Sequence, residues 1–289
     1  MPNYVTNQLT VSGTKADAVI KSLKIEDEYG DFSIDFNNIV PMPDSLKIIS
    51  GTITANCVEL YLTSMNPSVD YYGAKVKFKE KRFNTILETL NKAGHGYLCK
   101  QFNSALSLDK IAEIERDAER NKNSPDKEHK KLNSIKKLID YGRKAVNNVL
   151  KYGAMDWYDW SIANWGTKWN ACHCYFNDAN TFVEFDTAWS NVGDLICKLS
   201  KMFPKNTFEY KYAEEDTGAQ TGREIIKNGE VIEHDYPDDF SKEAYEIAFD
   251  IFGGEESYIF DEKKGTYVFD DYEKEKDGEP QSDNKGEMQ

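Results

Sequence analysis

The feature that most constrains the fold is a repeated order of predicted elements at the two ends of the chain. Alternating apolar residues predict a strand over 4–12, helical spacing predicts a helix over 15–25, and alternation returns over 32–37. The same order follows much later, with a strand over 181–187 and a helix over 191–202.

A further strand over 207–213 completes the second series. Asn228-Gly229 then lies between two apolar pairs, which is a strong signal for a tight β-hairpin. Two strand–helix–strand series of this kind indicate an α+β, split βαβ sandwich. We expect the four predicted strands outside the hairpin to share one antiparallel sheet, with both helices on one face.

The segment between the two series has a different character. Residues 105–151 contain 12 Lys and Arg and 8 Asp and Glu but no Phe or Trp, and their apolar residues are sparse. Helical spacing with a break near Pro125 predicts a helical hairpin whose arms bury a narrow stripe against each other. This segment is therefore expected to be an insertion that projects from the domain or serves as a contact arm.

The predicted elements divide the chain into four parts. We expect a discontinuous α+β domain over 1–104 and 152–235, and the helical insertion over 105–151. An acidic C-terminal extension follows over 236–269. The last part, 270–289, has no periodicity and is expected to be disordered.

The negative charge is concentrated at one end of the sequence. The net charge is −14, but residues 1–212 carry 28 Lys and Arg against 26 Asp and Glu. Residues 213–289 carry 8 against 24, a net charge of −16. A field of one sign attracts a basic partner and repels phosphates. This distribution disfavours direct nucleic-acid binding, and a solvated surface is its favoured explanation.

Composition excludes several classes of protein. No apolar run is long enough to span a bilayer, and the first residues have neither a basic region nor an apolar core typical of a signal peptide. Five scattered cysteines do not form a disulfide framework. We therefore expect a cytoplasmic protein that has no contact with membranes.

Several short blocks resemble a known family. They are MPNYVTNQLTVSG at 1–13, FNNIVPMP at 36–43, WYDW at 157–160 with NWGTKW at 164–169, FDTAW at 185–189 and YAEED at 212–216. As a set and in this order they resemble the YubB ferredoxin-like family of phages, plasmids and related mobile elements. The resemblance implies a ferredoxin-like fold and a mobile-element origin, and it supplies no catalytic residue. It does not extend to 44–151 or beyond about 235.

Motifs of enzymes and metal sites are missing from the sequence. There is no nucleophile elbow, Walker loop, zinc-protease helix or dinucleotide-binding glycine pattern. Cys172-His173-Cys174 has only one residue between its cysteines, fewer than structural zinc sites use. Asp156, Asp159 and Asp186 have no evident catalytic partners. We expect no enzymatic activity, no metal and no cofactor.

The tryptophan-rich segment is the first candidate contact site. All five Trp residues lie between Trp157 and Trp189, where they either fill a core or stack on a ligand such as a nucleotide. The core interpretation is favoured for the group as a whole. The loop 164–169 is expected to be exposed, because Gly, Asn and Lys fit poorly in a core. Its candidate contact residues are Asn164, Trp165, Lys168 and Trp169.

The acidic run Glu214-Glu215-Asp216 is the second candidate site. It lacks the spaced ligands and central glycine of a calcium loop, so a solvated edge is the favoured interpretation. Its functional interpretation is an acidic surface for a partner. The hypothesis from the sequence is a non-catalytic mobile-element protein that binds and inhibits a host protein, for example an antiviral defence factor. The alternatives are sequestration of a nucleotide in the Trp-rich region and DNA mimicry by the acidic quarter. The identity of the partner and the oligomeric state stay open.

Overall fold

A computed structural model describes residues 3–26, 30–65, 80–99 and 127–270, together with the single positions 113, 116, 119, 120 and 124. Most of the first arm of the predicted hairpin lies outside the described residues. Residues 271–289 of the predicted disordered tail also lie outside them.

Contacts divide the chain into two compact units. The sheet unit comprises residues 1–35 and 170–289, and the helical unit comprises residues 36–169. This division differs from the expected one, which placed 36–104 and 152–169 with the sheet. In the sequence, the helical unit is inserted between the first helix and the second main strand of the sheet unit.

The described elements follow in chain order: β1 (Tyr4–Gly13), α1 (Ala16–Leu23), β2 (Lys24–Glu26), β3 (Phe32–Ile34), α2 (Thr52–Ser64), α3 (Glu80–Lys92), α4 (Lys127–Lys131), α5 (Ile135–Tyr152), α6 (Trp157–Trp165), β4 (Cys172–Phe176), β5 (Phe182–Ala188), α7 (Gly193–Met202), β6 (Asn206–Glu214), β7 (Gly222–Lys227), β8 (Glu230–Asp235), α8 (Lys242–Phe252), β9 (Tyr258–Asp261) and β10 (Thr266–Phe269). Short 3₁₀ turns lie at Phe36–Asn38, Asp44–Leu46, Gly96–Cys99 and Glu255–Ser257.

The sheet unit has the ferredoxin-like topology. Its main sheet is antiparallel with the order β4-β5-β1-β6-β7-β8. The series β1-α1-β4 and β5-α7-β6 form a split βαβ pair, because β1 lies between β5 and β6. One face is buried: Val5, Leu9 and Val11 of β1 are at most 2% exposed, whereas the alternate Thr6 and Gln8 are partly exposed. The predicted α+β class and ferredoxin-like fold are confirmed.

The turn between β7 and β8 is also as predicted. Asn228 and Gly229 both have positive φ, 52° and 86°. A two-residue turn of this kind matches the twist of the strands on either side, and Asn-Gly is the pair that adopts it most readily.

One predicted strand lies in a different sheet. β3 pairs with β2, with Ile25 opposite Ser33, and so forms a separate two-stranded sheet. The prediction that 32–37 joins the main sheet is therefore wrong. Both edges of β1 are occupied by β5 and β6, and the chain leaves extended conformation at Phe36, which is buried in a 3₁₀ turn.

The helical unit is built around the contact of α5 with α2. The buried stripe of α5 includes Leu138, Ile139, Val146 and Val149, and it belongs to the same core cluster as Val58 of α2. The stripe packs against α2, which lies outside 105–151. The expectation that the insertion buries this stripe within itself is therefore corrected. No helix among the described residues is long and apolar enough to cross a bilayer.

The expected acidic extension folds with the sheet unit. α8 packs on β6, and its Tyr245 and Phe249 form aromatic contacts with Tyr258 of β9 and Tyr267 of β10. Ser241 caps α8 by accepting a hydrogen bond from the Ala244 amide, 3.2 Å away. The hairpin β9–β10 is thus held to α8 by aromatic packing.

Candidate functional site

Trp165 is buried and does not form a free contact surface. Its side chain is 5% exposed and its Nε1 donates to the Val40 carbonyl at 2.9 Å. Its ring packs edge-on against Phe36 and Trp160. This corrects the expectation that Trp165 is exposed. A large ring with a satisfied N–H fits a core, and a glycine beside it does not prevent burial.

The other predicted contact residues of this loop are half-buried. Asn164 donates to the Trp160 carbonyl at 2.9 Å, and Lys168 Nζ lies 4.6 Å from the centre of the Trp169 ring. Gly166 ends α6 with φ of 82°, which turns the chain back so that Ser161 Oγ bonds the Lys168 carbonyl. The loop therefore closes on its own helix.

The three aspartates near the tryptophans are divided between the units. Asp186 lies on β5 of the sheet unit, whereas Asp156 and Asp159 lie at the start of α6 in the helical unit. Asp156 caps α6 by accepting from the Tyr158 amide, and burial together with Asp159 raises the pKa of its carboxyl. Asp159 pairs with His95 Nε2 at 3.2 Å. These contacts give Asp156 and Asp159 structural roles in the helical unit.

The Cys-His-Cys triplet forms an irregular edge of the main sheet. The pairing of β4 with β5 shifts between Cys172 and Tyr175, and His173 there has φ of 50°. His173 Nδ1 lies 2.9 Å from Asp186 Oδ2, and Asp186 Oδ1 accepts from the Thr6 hydroxyl at 2.7 Å. An exposed imidazole is thus oriented by a carboxylate.

Two groups near the imidazole, the Cys172 thiol and the Tyr4 phenol, have raised pKa values. Burial raises the pKa of the Cys172 thiol to about 11, and partial burial raises the pKa of the neighbouring Tyr4 phenol. Both groups are therefore protonated at neutral pH, which is opposite to what nucleophilic catalysis needs. Among the described residues, no three His, Cys, Asp or Glu side chains are grouped so that they could hold a metal ion.

Glu214 is a buried structural residue, although the sequence placed it on an acidic surface. It is 8% exposed, and its two oxygens accept from Asn3 Nδ2 and Gln220 Nε2, each at 2.6 Å. The prediction of a contact role at Glu214 is corrected, because both partners hold it inside the end of the sheet. Glu215 and Asp216 are exposed, as expected.

Another exposed acidic surface lies further along the chain. We call residues 230–240 the acidic edge; they comprise β8 and the segment that leads to α8. All side chains of β8 are exposed. The acidic edge contains no Lys or Arg and five acidic residues, Glu230, Glu233, Asp235, Asp238 and Asp239.

Apolar side chains are interleaved with these acids. The exposed fractions are 37% for Val231, 54% for Ile232, 51% for Tyr236 and 45% for Phe240. Exposed aromatic and aliphatic groups in one strip are typical of protein-binding surfaces. The acidic edge is therefore both charged and apolar.

Three features keep the acidic edge in place. β8 is the last strand of the main sheet and pairs with β7. The Tyr236 hydroxyl donates to Glu224 Oε1 at 2.8 Å, and the Phe240 amide donates to the Gly218 carbonyl at 2.8 Å. In the sequence, this surface is indicated by an acidic run without Lys or Arg after the Asn-Gly turn. The run does not by itself show which strand lies at the edge of the sheet.

Comparisons with known proteins agree with the fold. A family described as a ferredoxin-like domain in Api92-like protein matches residues 164–277. No curated protein matches the chain. Among solved structures the chain is similar to protein api92 from Yersinia pseudotuberculosis, at 10% identity and a TM-score of 0.36, covering 82% of this chain and 99% of that chain. The fold assignment rests on the family match and the sheet topology.

Proposed function

We propose that this protein acts by binding another protein, and that the acidic edge receives a basic, extended segment of that partner. The observation that carries the proposal is an edge strand whose six side chains are all exposed, with acidic and apolar groups interleaved. The same surface offers both charge and apolar area.

Strand addition explains how such an edge would bind. An edge strand has backbone N–H and C=O groups on its outer side, and an extended peptide pairs with them as a further strand. Val231 and Ile232 supply apolar contacts, and Glu233 and Asp235 attract basic side chains of the peptide. Charges at such a rim raise the association rate and select the partner.

The acids and the irregular pairing of β8 also protect the edge against copies of itself. The pairing shifts between Ile225 and Ile226, where Ile232 is the additional residue on β8. Bulges and like charges on an edge strand prevent edge-to-edge association. The negative charge repels other acidic strands but not basic segments, so basic partners are favoured.

Inhibition of a host protein, with an antiviral defence factor as one target, is the use that the resemblance to mobile-element proteins suggests, and we keep it as part of the proposal. Nucleotide sequestration in the Trp-rich region is less well supported, because Trp165 is buried with its N–H bonded. DNA mimicry needs acidic rows on a rigid surface, and the acidic edge is the surface on which to test it.

The test uses three synthetic peptides with a fluorescent label. One alternates Lys with Val, the second alternates Glu with Val, and the third has the sequence of the first with every backbone amide N-methylated. The third has the charge of the first but lacks the backbone N–H groups that a strand needs. Binding is measured by fluorescence anisotropy at low and high salt with the full chain.

Two triple variants of equal charge change accompany the wild type. E230K/E233K/D235K reverses the acidic edge, and E255K/E256K/E262K reverses exposed acids near β9 and β10. We expect the Lys–Val peptide to bind the wild type and the control variant, and to bind the edge variant at least about tenfold more weakly at low salt. Equal binding of the N-methylated peptide overturns strand addition and favours a charge-only surface. Equal loss in both variants overturns the site.

A further inference from the structure

The two units carry charges of opposite sign. The helical unit contains 21 Lys and Arg against 15 Asp and Glu, a net charge of +6. The rest of the chain contains 15 against 35, a net charge of −20. A single value of −14 for the whole chain therefore conceals a basic unit.

Five exposed basic residues lie on one face of α5. The exposed basic residues recur at helical spacing: Lys136, Lys137, Arg143, Lys144 and Lys151. We call this set the basic face. Asp140, which pairs with Arg143 at 2.6 Å, is the one acidic residue of α5. Among the described residues, the other members of the basic face have no carboxylate partner.

The opposite side of α5 fixes this face in position. Its apolar stripe is buried against α2, and Gly142 lies directly against the backbone at Cys57. At 1.5 Å of rise per residue, Lys137, Lys144 and Lys151 follow one another at intervals of about 10 Å. The cations are thus presented along a rigid line of about 20 Å.

A groove of about 430 Å³ runs beside these cations. Its lining includes Ser45, Asn147, Tyr152 and the carboxylate of Asp140 in addition to members of the basic face. Lys151 Nζ lies 4.9 Å from the centre of the Tyr152 ring, and Asn147 is exposed. Hydroxyl, amide and ammonium donors together suit phosphate oxygens.

We propose that the basic face of α5 binds the phosphate backbone of a nucleic acid. This inference goes beyond the protein-binding function proposed above and involves the other unit. A membrane surface is the less suitable partner, because a membrane-bound helix must expose its apolar side and the apolar side of α5 is buried in the core. The basic face contacts the row of phosphates and does not recognise individual bases.

The proposal reverses the expectation, drawn from the acidic last quarter, that direct nucleic-acid binding is disfavoured. Net charge does not decide local binding, because charges are screened over about 8 Å at physiological ionic strength. What matters is the charge within that distance of the phosphates. On the exposed side of α5 this charge is positive.

The test uses a fluorescein-labelled mixed-sequence DNA duplex of 20 base pairs, and its single strand, with the full chain. The variant R143Q/K144Q/K151Q removes three charges from the basic face. The control K201Q/K205Q/K227Q removes three exposed charges from the sheet unit. All six positions are exposed, so both variants are expected to fold, and far-UV circular dichroism checks this.

With about four phosphate contacts, the logarithm of the binding constant is expected to fall with the logarithm of salt with a slope of about −3.6. That is a loss of about a hundredfold between 50 and 200 mM salt. The triple variant is expected to bind at least about tenfold more weakly at 50 mM and to lose most of the slope, while the control retains both.

Three results would overturn the inference. The first is no binding of the duplex or the single strand at 50 mM salt. The second is equal weakening by the two triple variants, which would show an effect of net charge alone. The third is a molecular mass of R143Q/K144Q/K151Q that differs from that of the wild type in light scattering. That result would show that the basic face forms a contact between copies of the chain.

Discussion

Replacing Gly142 with Ala is expected to destabilise the helical unit strongly. A Cβ at this position would lie 1.9 Å from the Cys57 carbonyl oxygen and 2.4 Å from its carbon, and ordinary contact begins at 3.4 Å. Because the obstacle is backbone, α5 and α2 must move apart by about 1.5 Å. The overpacking costs about 1–3 kcal/mol and more where backbone must shift, and the better helix propensity of Ala offsets about 1 kcal/mol of this.

Separating the helices also loosens the packing of Leu138, Ile139 and Val146. We therefore expect a net loss of about 2–4 kcal/mol in the free energy of unfolding. The matched control is Asn147→Ala, which introduces the same residue on the exposed side of the same helix. Its effect is expected to lie within about 0.5 kcal/mol of zero.

The assay is urea unfolding followed by tryptophan fluorescence and far-UV circular dichroism. Four of the five tryptophans, Trp157, Trp160, Trp165 and Trp169, belong to the helical unit, so fluorescence reports mainly on that unit. Circular dichroism reports on both units. A midpoint for Gly142→Ala equal to that of Asn147→Ala would refute the reasoning, because it would show that α5 and α2 are not in contact at Gly142.

Two further predictions concern buried polar groups. Burial raises the pKa of the Glu224 carboxyl, so its stabilising contribution is present below the ordinary pKa of glutamate and is lost as pH rises through the higher value in the fold. The free energy of unfolding of Glu224→Gln relative to wild type should therefore rise between pH 4 and pH 7, as measured by urea unfolding. A difference that stays constant with pH would contradict this. Trp165→Phe removes the Nε1 bond to the Val40 carbonyl and is expected to lower the free energy of unfolding by about 1–2 kcal/mol, whereas an unchanged urea midpoint would place Trp165 outside the core.

The main sheet was largely predictable because its signals are local. Alternation placed β1, β5 and β6, helical spacing placed α1 and α7, and the Asn228-Gly229 pair placed the turn before β8. These patterns depend on residues within one element. Which strands pair with each other depends on residues far apart in the chain. The sequence therefore placed 32–37 in the main sheet, although β1 is paired on both sides by β5 and β6.

The site was less predictable because burial depends on distant residues. Glu214 is enclosed by Asn3, 211 positions earlier in the chain, and Trp165 bonds Val40, 125 positions earlier. Nothing near either residue in the sequence indicates such a partner. In the same way, the acidity of 230–240 was visible, but its exposure follows from β8 being the last strand of the sheet.

The insertion of the helical unit sets the order in which the sheet can be assembled during synthesis. β1 is made first, but Thr10 pairs with Phe182 and Val5 pairs with Glu214. At roughly 5–20 residues per second, about 10–40 s separate β1 from the end of β6 on the ribosome. The contacts of α2 with α5 lie within residues 36–169 and become available earlier. The central strand of the sheet is therefore translated first and enclosed last, with its apolar residues unpaired in the interval.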